Sequence, residues 1–214
     1  MSSIKNTHGR LIMLSIVKAI QDNKGYLGEI DGLIGDGDHG MNMNKGFSLY
    51  EEQLGDDETS FSDGLFDLGS ILLNKIGGSM GPIYGTLFMD MSDVIENNED
   101  ITLELFIKML DTGLSGLYEI INARPGDKTL VDTLSPAIVA LKAAFANGGD
   151  FQSALNEMVK AARKGRDSTK DLVAKYGRSA RLGERSRGVL DAGATSCCII
   201  LEAMADGMIS VMEV

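Results

Sequence analysis

Three carboxylates, a histidine and two asparagines fall within the fourteen residues from Asp31 to Asn44, together with glycines at positions 32, 35, 37 and 40. Asp36 and Asp38 are two residues apart, and Asp31 precedes Asp36 by five. Carboxylates this close repel one another unless a cation neutralises them. Mg²⁺ accepts carboxylate oxygens and keeps open positions for phosphate oxygens, and the glycines allow the tight backbone turns that bring the carboxylates together. The stretch therefore predicts a metal–phosphate site at a loop-to-helix junction.

From Asp38 onward the residue pattern is helical. His39 and Asn42 are three residues apart and Asp38 and Asn42 are four apart, so the three side chains can share one helix face. One alternative is an acidic surface turn followed by a capped helix, because Asp and Asn are ordinary turn and N-cap residues. These residues by themselves leave that alternative open.

A second alternative is a calcium-binding EF-hand loop, because Asp36, Asp38 and Gly40 match the opening of that pattern. An EF-hand needs Gly at its sixth position and a bidentate Glu at its twelfth. Counted from Asp36, these positions hold Met41 and Phe47. The EF-hand is therefore excluded.

Three other polar, glycine-rich segments follow, at residues 77–82, 124–129 and 177–193. With residues 31–40 they form a series spaced by roughly 45 to 60 residues, which is room for two short helices per interval. In an up-and-down helical array every second connection lies at the same end. We therefore expect the four segments to converge on one rim, where loops brought together commonly bind ligands.

Two of these segments have chemistry that suits phosphate. Residues 177–193 carry four arginines in a chain of net charge −11, and arginines can clamp phosphates and stabilise a transferring phosphoryl group. Residues 77–82 offer small residues and free N–H groups ahead of a helix. A solvated basic loop and a plain inter-helix turn remain the alternatives. No P-loop or Rossmann fingerprint occurs, so the residues favour a helical, magnesium-dependent nucleotide-phosphate site of another kind.

Composition narrows the class of protein. The 214 residues are 43% hydrophobic and 24% charged, as in a soluble globular protein. The net charge of −11 argues against a nucleic-acid partner. Cys197 and Cys198, the two cysteines, lie in an apolar run and are expected to be reduced core residues. We expect neither a signal peptide nor an apolar run long enough to span a membrane, and hence a cytoplasmic protein.

The apolar residues recur at helical spacing along the chain, which predicts an all-α fold of about eight helices in a single domain, residues 1–214. No segment alternates as a strand does. We expect a first helix over 10–23, a helix over about 38–54, an N-cap at Thr102 and a last helix over 194–208. Residues 151–164 and 169–176 are predicted to form one helix bent near Gly165 or two separate helices.

Four motifs together resemble a known family. They are Ile34-Gly-Asp-Gly-Asp-His-Gly-Met-Asn-Met-Asn44 with Lys45-Gly-Phe47, Gly77-Gly-Ser-Met-Gly-Pro82, Arg124-Pro-Gly-Asp-Lys-Thr129, and a late set made of Gly177-Arg-Ser179, Leu182-Gly-Glu-Arg-Ser186 and Asp191-Ala-Gly-Ala-Thr-Ser196. In this order and spacing they resemble the nucleotide-binding L subunit of dihydroxyacetone kinase. The resemblance covers nearly the whole chain. It implies an eight-helix antiparallel up-and-down barrel with a nucleotide at one rim.

The resemblance also implies roles for particular residues. Two Mg²⁺ ions would be bound by Asp31, Asp36 and Asp38, and Arg178 would face the phosphates as the catalytic residue that stabilises the transferring group. ADP or ATP would be bound by His39, Gly40, Met41, Asn42, Ser79, Met80, Thr129, Leu130, Arg178, Asp191, Ala192 and Gly193.

Finally, the resemblance implies partners. The chain would transfer a phosphoryl group to dihydroxyacetone held by a K-type substrate subunit, and an M-type phosphohistidine subunit of the phosphotransferase system would recharge its ADP. A homodimer is expected. An L-type subunit of an ATP-dependent kinase for another small ketose, and a non-catalytic nucleotide-loaded regulatory subunit, remain alternatives.

Overall fold

The computed structural model describes residues 3–212, and helices dominate this part of the chain. Each apolar stripe in the sequence becomes the buried face of a helix, as in α5, where Phe106, Leu110 and Leu117 are buried at helical spacing. The eight α-helices of the described residues are α1 (Gly9–Ile34), α2 (His39–Leu54), α3 (Phe61–Lys75), α4 (Met80–Ile95), α5 (Leu103–Ile120), α6 (Val131–Ala146), α7 (Phe151–Ser168) and α8 (Ala192–Met212).

The helices form a closed ring. Each helix packs against the next along the chain, and α8 packs against α1. One large hydrophobic cluster receives side chains from all eight helices. The predicted eight-helix antiparallel up-and-down barrel is thus confirmed. Side-chain caps define the starts of three helices: Ser60 accepts from the Asp63 N–H at 3.0 Å, Thr102 from the Leu105 N–H at 3.2 Å, and Asp150 from the Ser153 N–H at 2.7 Å.

Two short strands, which the sequence analysis did not predict, lie at one end of the barrel. Strand β1 (Ser3–Lys5) pairs antiparallel with β2 (Asp100–Thr102), with Ile4 opposite Ile101. The buried Asn6 follows β1, and its amide donates to the carbonyl oxygens of Ile95 and Asn98. Strands of three residues are too short for an alternating pattern to be recognised, which is why the sequence did not reveal them.

The first helix is longer than predicted. Instead of ending near residue 23, α1 continues to Ile34, so Asp31 belongs to its last turn and not to a loop. Glycine at positions 25, 28 and 32 lowers helix propensity, but α1 continues through all three, and the start of α2 packs closely against this part of it. A Cβ on Gly40 in α2 would lie 1.9 Å from the Lys24 carbonyl oxygen of α1. The close contact between the two helices therefore requires glycine at that position.

The structure that follows residue 151 differs from both predicted alternatives. Helix α7 runs unbroken from Phe151 through Gly165 to Ser168. A 3-10 turn at Thr169–Asp171 then ends the regular helix, and residues 172–178 form no helix. A second 3-10 stretch covers Ser179–Ser186, with the left-handed Gly183 (φ +53°) inside it. Residues 169–191 thus form an irregular excursion in place of a separate helix over 169–176.

Helix α8 corrects another expectation. Its 21 residues are apolar enough to cross a membrane by length and composition, whereas no such run was expected from the sequence. In the fold, 67% of its apolar 18-residue window is buried, and the helix packs against α1, α6 and α7. Its position in the core of the barrel accounts for its composition.

Candidate functional site

The three clustered carboxylates lie where α1 gives way to α2. Asp31 is half-buried in the last turn of α1, and Asp36 and Asp38 are exposed in the connection. Gly37 takes a left-handed φ of +78° between them. One oxygen of each carboxylate lies within 4.8 Å of the other two. A set of carboxylate oxygens this close fits a hard divalent cation, because like charges otherwise disfavour the arrangement.

Arg178 contacts the same carboxylates from a distant part of the chain. It belongs to the excursion of residues 170–188, called the arginine segment below. Its guanidinium forms an ion pair with Asp36 and lies 3.7 Å from Asp38. Half of its side chain is exposed. The structure thus brings the predicted catalytic arginine, 140 residues away along the chain from Asp38, to the predicted metal ligands.

His39 begins α2 and connects the acidic cluster to a buried polar chain. Its backbone N–H donates to the Asp31 carboxylate at 3.3 Å, and its Nε2 lies 2.9 Å from the Ser196 hydroxyl. The Ser196 hydroxyl lies 2.7 Å from the Tyr84 hydroxyl, which donates to the Gly193 carbonyl at 3.2 Å. Burial lowers the pKa of His39 to about 4, against the opposing influence of Asp31. The ring is therefore held neutral and oriented at neutral pH.

Beside these residues is a cavity of about 760 Å³, within the range of small-molecule sites. Residues from all four polar segments line it, so the expected convergence on one rim is confirmed. The lining residues comprise Asp31, Ile34, Asp36, Asp38, His39, Asn42, Gly77, Gly78, Ser79, Met80, Ile83, Tyr84, Ile120, Ile121, Asn122, Ala123, Lys128, Thr129, Leu130, Tyr176, Gly177, Arg178, Ser179, Asp191, Ala192 and Gly193. The lining therefore combines apolar side chains, suited to an aromatic base, with charged groups suited to phosphates.

The cavity also lies at the starts of four helices. Helices α2, α4, α6 and α8 begin at His39, Met80, Val131 and Ala192, each of which lines the cavity or directly follows a residue that does. The first N–H groups of a helix lack intrahelical partners and carry the positive end of the helix dipole. Four such ends around one cavity favour an anion there.

Two aspartates fix the backbone around the starts of α6 and α8. Asp132 accepts from the N–H groups of Gly126 and Thr129, at 2.5 and 2.8 Å. Asp191 accepts from the Ala194 N–H at 2.7 Å. Burial raises the pKa of Asp191 to about 6, although that hydrogen bond and the nearby Lys128 both oppose the shift. The predicted residues Thr129, Leu130 and Asp191 are thereby held at the cavity wall.

Of the predicted nucleotide-binding residues, Gly40 and Met41 are not among the cavity-lining residues. Gly40 is buried in the α1–α2 contact, and the side chain of Met41 is 62% exposed. Conversely, sequence reasoning assigned no role to Tyr84, Ser196 or Lys128. Ser196 was visible as the end of the late motif, but its contact with His39 joins residues 157 positions apart. Nothing in the sequence pairs those two positions.

The fold and the site define a class: an all-α barrel with an acidic cluster, an arginine and four helix N-termini around one end cavity. The comparisons with known proteins agree. Residues 33–206 match the DAK2 domain, and the chain belongs to that family. It is 35% identical to the "PEP-dependent dihydroxyacetone kinase 1, ADP-binding subunit DhaL" of Listeria innocua over 192 residues, covering 89% of this chain and 91% of that protein.

Two further similarities extend this result. The chain is 36% identical to the "PEP-dependent dihydroxyacetone kinase, ADP-binding subunit DhaL" of Escherichia coli over 183 residues, 84% of this chain and 86% of that protein. The crystal structure of the dihydroxyacetone kinase from C. freundii in complex with AMP-PNP and Mg²⁺ matches with a TM-score of 0.67 and 22% identity. That match covers 94% of this chain but 33% of the other, and it shows the shared fold.

Proposed function

We propose that this protein is the nucleotide-binding subunit of a dihydroxyacetone kinase. In this function it holds Mg²⁺ with ADP or ATP and transfers a phosphoryl group to dihydroxyacetone bound on a partner subunit. The convergence of Arg178 and three carboxylates on a cavity surrounded by four helix N-termini is the observation that carries the proposal. The printed names of the relatives from Listeria and Escherichia, both ADP-binding subunits, support it.

Asp31, Asp36 and Asp38 would hold the metal, proposed to be two Mg²⁺ ions. The metal would neutralise the phosphate oxygens and polarise the group to be transferred. Ser79, Met80, Thr129 and Leu130 then bind the nucleotide along the cavity wall, as do Asp191, Ala192 and Gly193 at the start of α8, while His39 and Asn42 lie beside the phosphates. Gly40 and Met41 are proposed to contribute only through the backbone at the start of α2.

Arg178 is proposed to stabilise the charge that develops on the phosphoryl group. Its guanidinium partly neutralises the acidic cluster in the structure, and metal binding at the carboxylates would free it to face the phosphates. Phosphoryl transfer depends mainly on positioning and electrostatic stabilisation. For that reason this chain needs no general base of its own.

The partners follow from the same proposal. The relatives are named as parts of PEP-dependent kinases, which supports a K-type subunit that holds dihydroxyacetone and an M-type phosphohistidine subunit that recharges the bound ADP. We further propose that the whole chain acts as one domain, as a homodimer, in the cytoplasm.

The first test is to purify the chain with Mg²⁺, denature it and identify any released nucleotide. Stoichiometric ADP that survives extensive dialysis is the expected result, because a recharged cofactor must stay bound. An empty protein that binds ATP reversibly would contradict the captive cofactor and favour the ATP-dependent kinase.

Two variants test the residue roles. Asp36→Ala should abolish magnesium-dependent nucleotide binding, because it removes a metal ligand. Arg178→Ala should lower turnover by about 10² or more while nucleotide affinity changes little, since its stabilisation is specific to the transition state. Equal losses of affinity and turnover in the Arg178 variant would instead make this residue a binding anchor.

A further inference from the structure

Lys128 is a buried charge in an unusual backbone conformation. It lies in the loop between α5 and α6 and is 1% exposed, although lysine is rarely fully buried unless it has partners. Among residues 3–212, Lys128 is the one non-glycine residue with a positive φ, which is +62°. Residues other than glycine rarely adopt this backbone conformation, and where one does, the surrounding contacts must stabilise it.

The partners of Lys128 lie at the two ends of the arginine segment. Its ammonium donates to the carbonyl oxygen of Thr169, just before the segment, and to that of Val189, just after it. Two further hydrogen bonds join the same ends: the Gly188 N–H donates to the Lys170 carbonyl at 2.7 Å, and the Asp191 N–H donates to the Thr169 hydroxyl at 3.0 Å. The ammonium and these two hydrogen bonds together close the base of an excursion of about twenty residues.

The same loop holds the arginine segment at a second point. Lys175 donates its backbone N–H to the Asp127 carbonyl oxygen at 3.2 Å, and its ammonium lies 2.6 Å from the Asp127 carboxylate. Lys175 precedes Arg178 by three residues. Adjacent residues of one loop, Asp127 and Lys128, thus fix both the middle and the base of the segment that carries the arginine.

We propose that Lys128 is a positioning residue that acts through Arg178. By joining the two ends of the arginine segment, its ammonium sets where the segment crosses the rim and so holds the Arg178 guanidinium opposite Asp36 and Asp38. Lys128 also lines the cavity, so the same group links the nucleotide-binding wall to the arginine. The alternative is that Lys128 only satisfies two buried carbonyl groups and contributes to stability alone.

The test compares three variants in the full chain. Lys128→Met keeps the length of the side chain and removes its donors, and Lys128→Arg keeps charge and donors. Lys164→Met, at an exposed position in α7, is the matched control. Amide hydrogen exchange with Mg²⁺ present measures how firmly residues 170–188 are held, and it needs no substrate. Turnover is measured in the complex with the substrate-binding and donor subunits, alone and in combination with Arg178→Ala.

We expect Lys128→Met to speed exchange in the arginine segment by about ten-fold while α1–α5 exchange as in the wild type. Turnover should fall by about ten-fold with little change in the amount of ADP bound, Lys128→Arg should recover part of the turnover, and Lys128→Met should cost nothing further in the Arg178→Ala background. Should Lys128→Met not fold, Lys128→Gln takes its place in the same measurements.

Unchanged exchange in the arginine segment would overturn the proposal, and so would turnover losses that multiply in the double variant, because both mean that Lys128 does not act through Arg178. The turnover measurement rests on the proposed function. If the wild type transfers no phosphoryl group at all, that function fails, while the exchange comparison still decides whether Lys128 holds the segment.

Discussion

Asp38→Asn removes one carboxylate from the acidic cluster and leaves the shape of the side chain nearly unchanged. Asp38 is the N-cap residue of α2, but its side chain makes no capping hydrogen bond, so none is lost. One of its oxygens lies within 4.8 Å of oxygens of both Asp31 and Asp36. The attractions it would lose are to Arg178, at 3.7 Å, and to the positive end of the α2 dipole. The variant therefore isolates the electrostatic balance of the cluster.

The size of the effect follows from these distances. In a water-like dielectric, each repulsion at 4.8 Å or less costs about 1 kcal/mol, and the attraction at 3.7 Å gains about 1 kcal/mol. The helix dipole adds a few tenths of a kcal/mol for an exposed carboxylate. Two repulsions removed against these attractions lost leave a net gain of at most about 1 kcal/mol in the free energy of unfolding without metal. For a chain of this size that gain raises Tm by no more than about 2–4 °C. It should shrink at high salt, because the carboxylate is exposed.

The assay is thermal unfolding with EDTA and then with Mg²⁺ and ADP. Ligand at a hundred times its Kd stabilises the wild type by about 2.7 kcal/mol, whereas Asp38→Asn, lacking a metal ligand, should gain far less. Asp56→Asn, at an exposed position two residues beyond the C-terminal end of α2, is the control and should shift neither measurement. If Asp38→Asn is less stable than the wild type in EDTA, or gains as much from Mg²⁺ and ADP, the reasoning is refuted.

Two further predictions concern packing and pH. Gly40→Ala should lower the free energy of unfolding by about 3 kcal/mol, because its Cβ would meet the Lys24 carbonyl oxygen. Gly25→Ala, whose Cβ meets nothing within 4 Å, should be neutral or stabilising in the same chemical denaturation. The lowered pKa of His39 predicts that, in EDTA, stability is lost as the pH falls from about 6.5 to about 4, since the unfolded state takes up the proton first. His39→Gln should remove about 3 kcal/mol of this pH dependence, while the exposed-site variant His8→Gln should retain it.

The sequence predicted the architecture because its signals were regular. Apolar residues recur at helical spacing, and the polar segments recur at every second connection, so the all-α fold and the convergence of loops on one rim followed from periodicity. The closed eight-helix barrel was implied by the family resemblance. The end of α1 was misjudged because Gly25, Gly28 and Gly32 resemble a helix terminus. In the fold α1 continues through these glycines, and the close approach of the two helices depends instead on Gly40, whose Cβ would meet the Lys24 carbonyl oxygen.

Parts of the site depend on contacts that no local pattern reveals. The chain from His39 through Ser196 to Tyr84 joins three helices and residues more than a hundred positions apart. In the sequence, Lys128 is one of several charged residues in a Pro-Gly turn, and nothing marks it as buried. Its burial depends on the carbonyl groups of Thr169 and Val189, which flank an irregular segment. The ligand contacts assigned to individual cavity residues stay predictions until a bound nucleotide is observed.

The packing of α8 on α1 has a consequence for the connectivity of the fold. A Cβ on Gly207, near the end of α8, would lie 2.9 Å from the Ile12 Cα, near the start of α1. These helix ends lie at the end of the barrel opposite the cavity. The connection of residues 55–60 lies at the same end, where Arg10 donates to the carbonyl oxygens of Gly55 and Asp57. A circular permutant that links the end of α8 to the start of α1 and opens the chain at residues 55–60 should therefore preserve every helix neighbour and leave the rim intact.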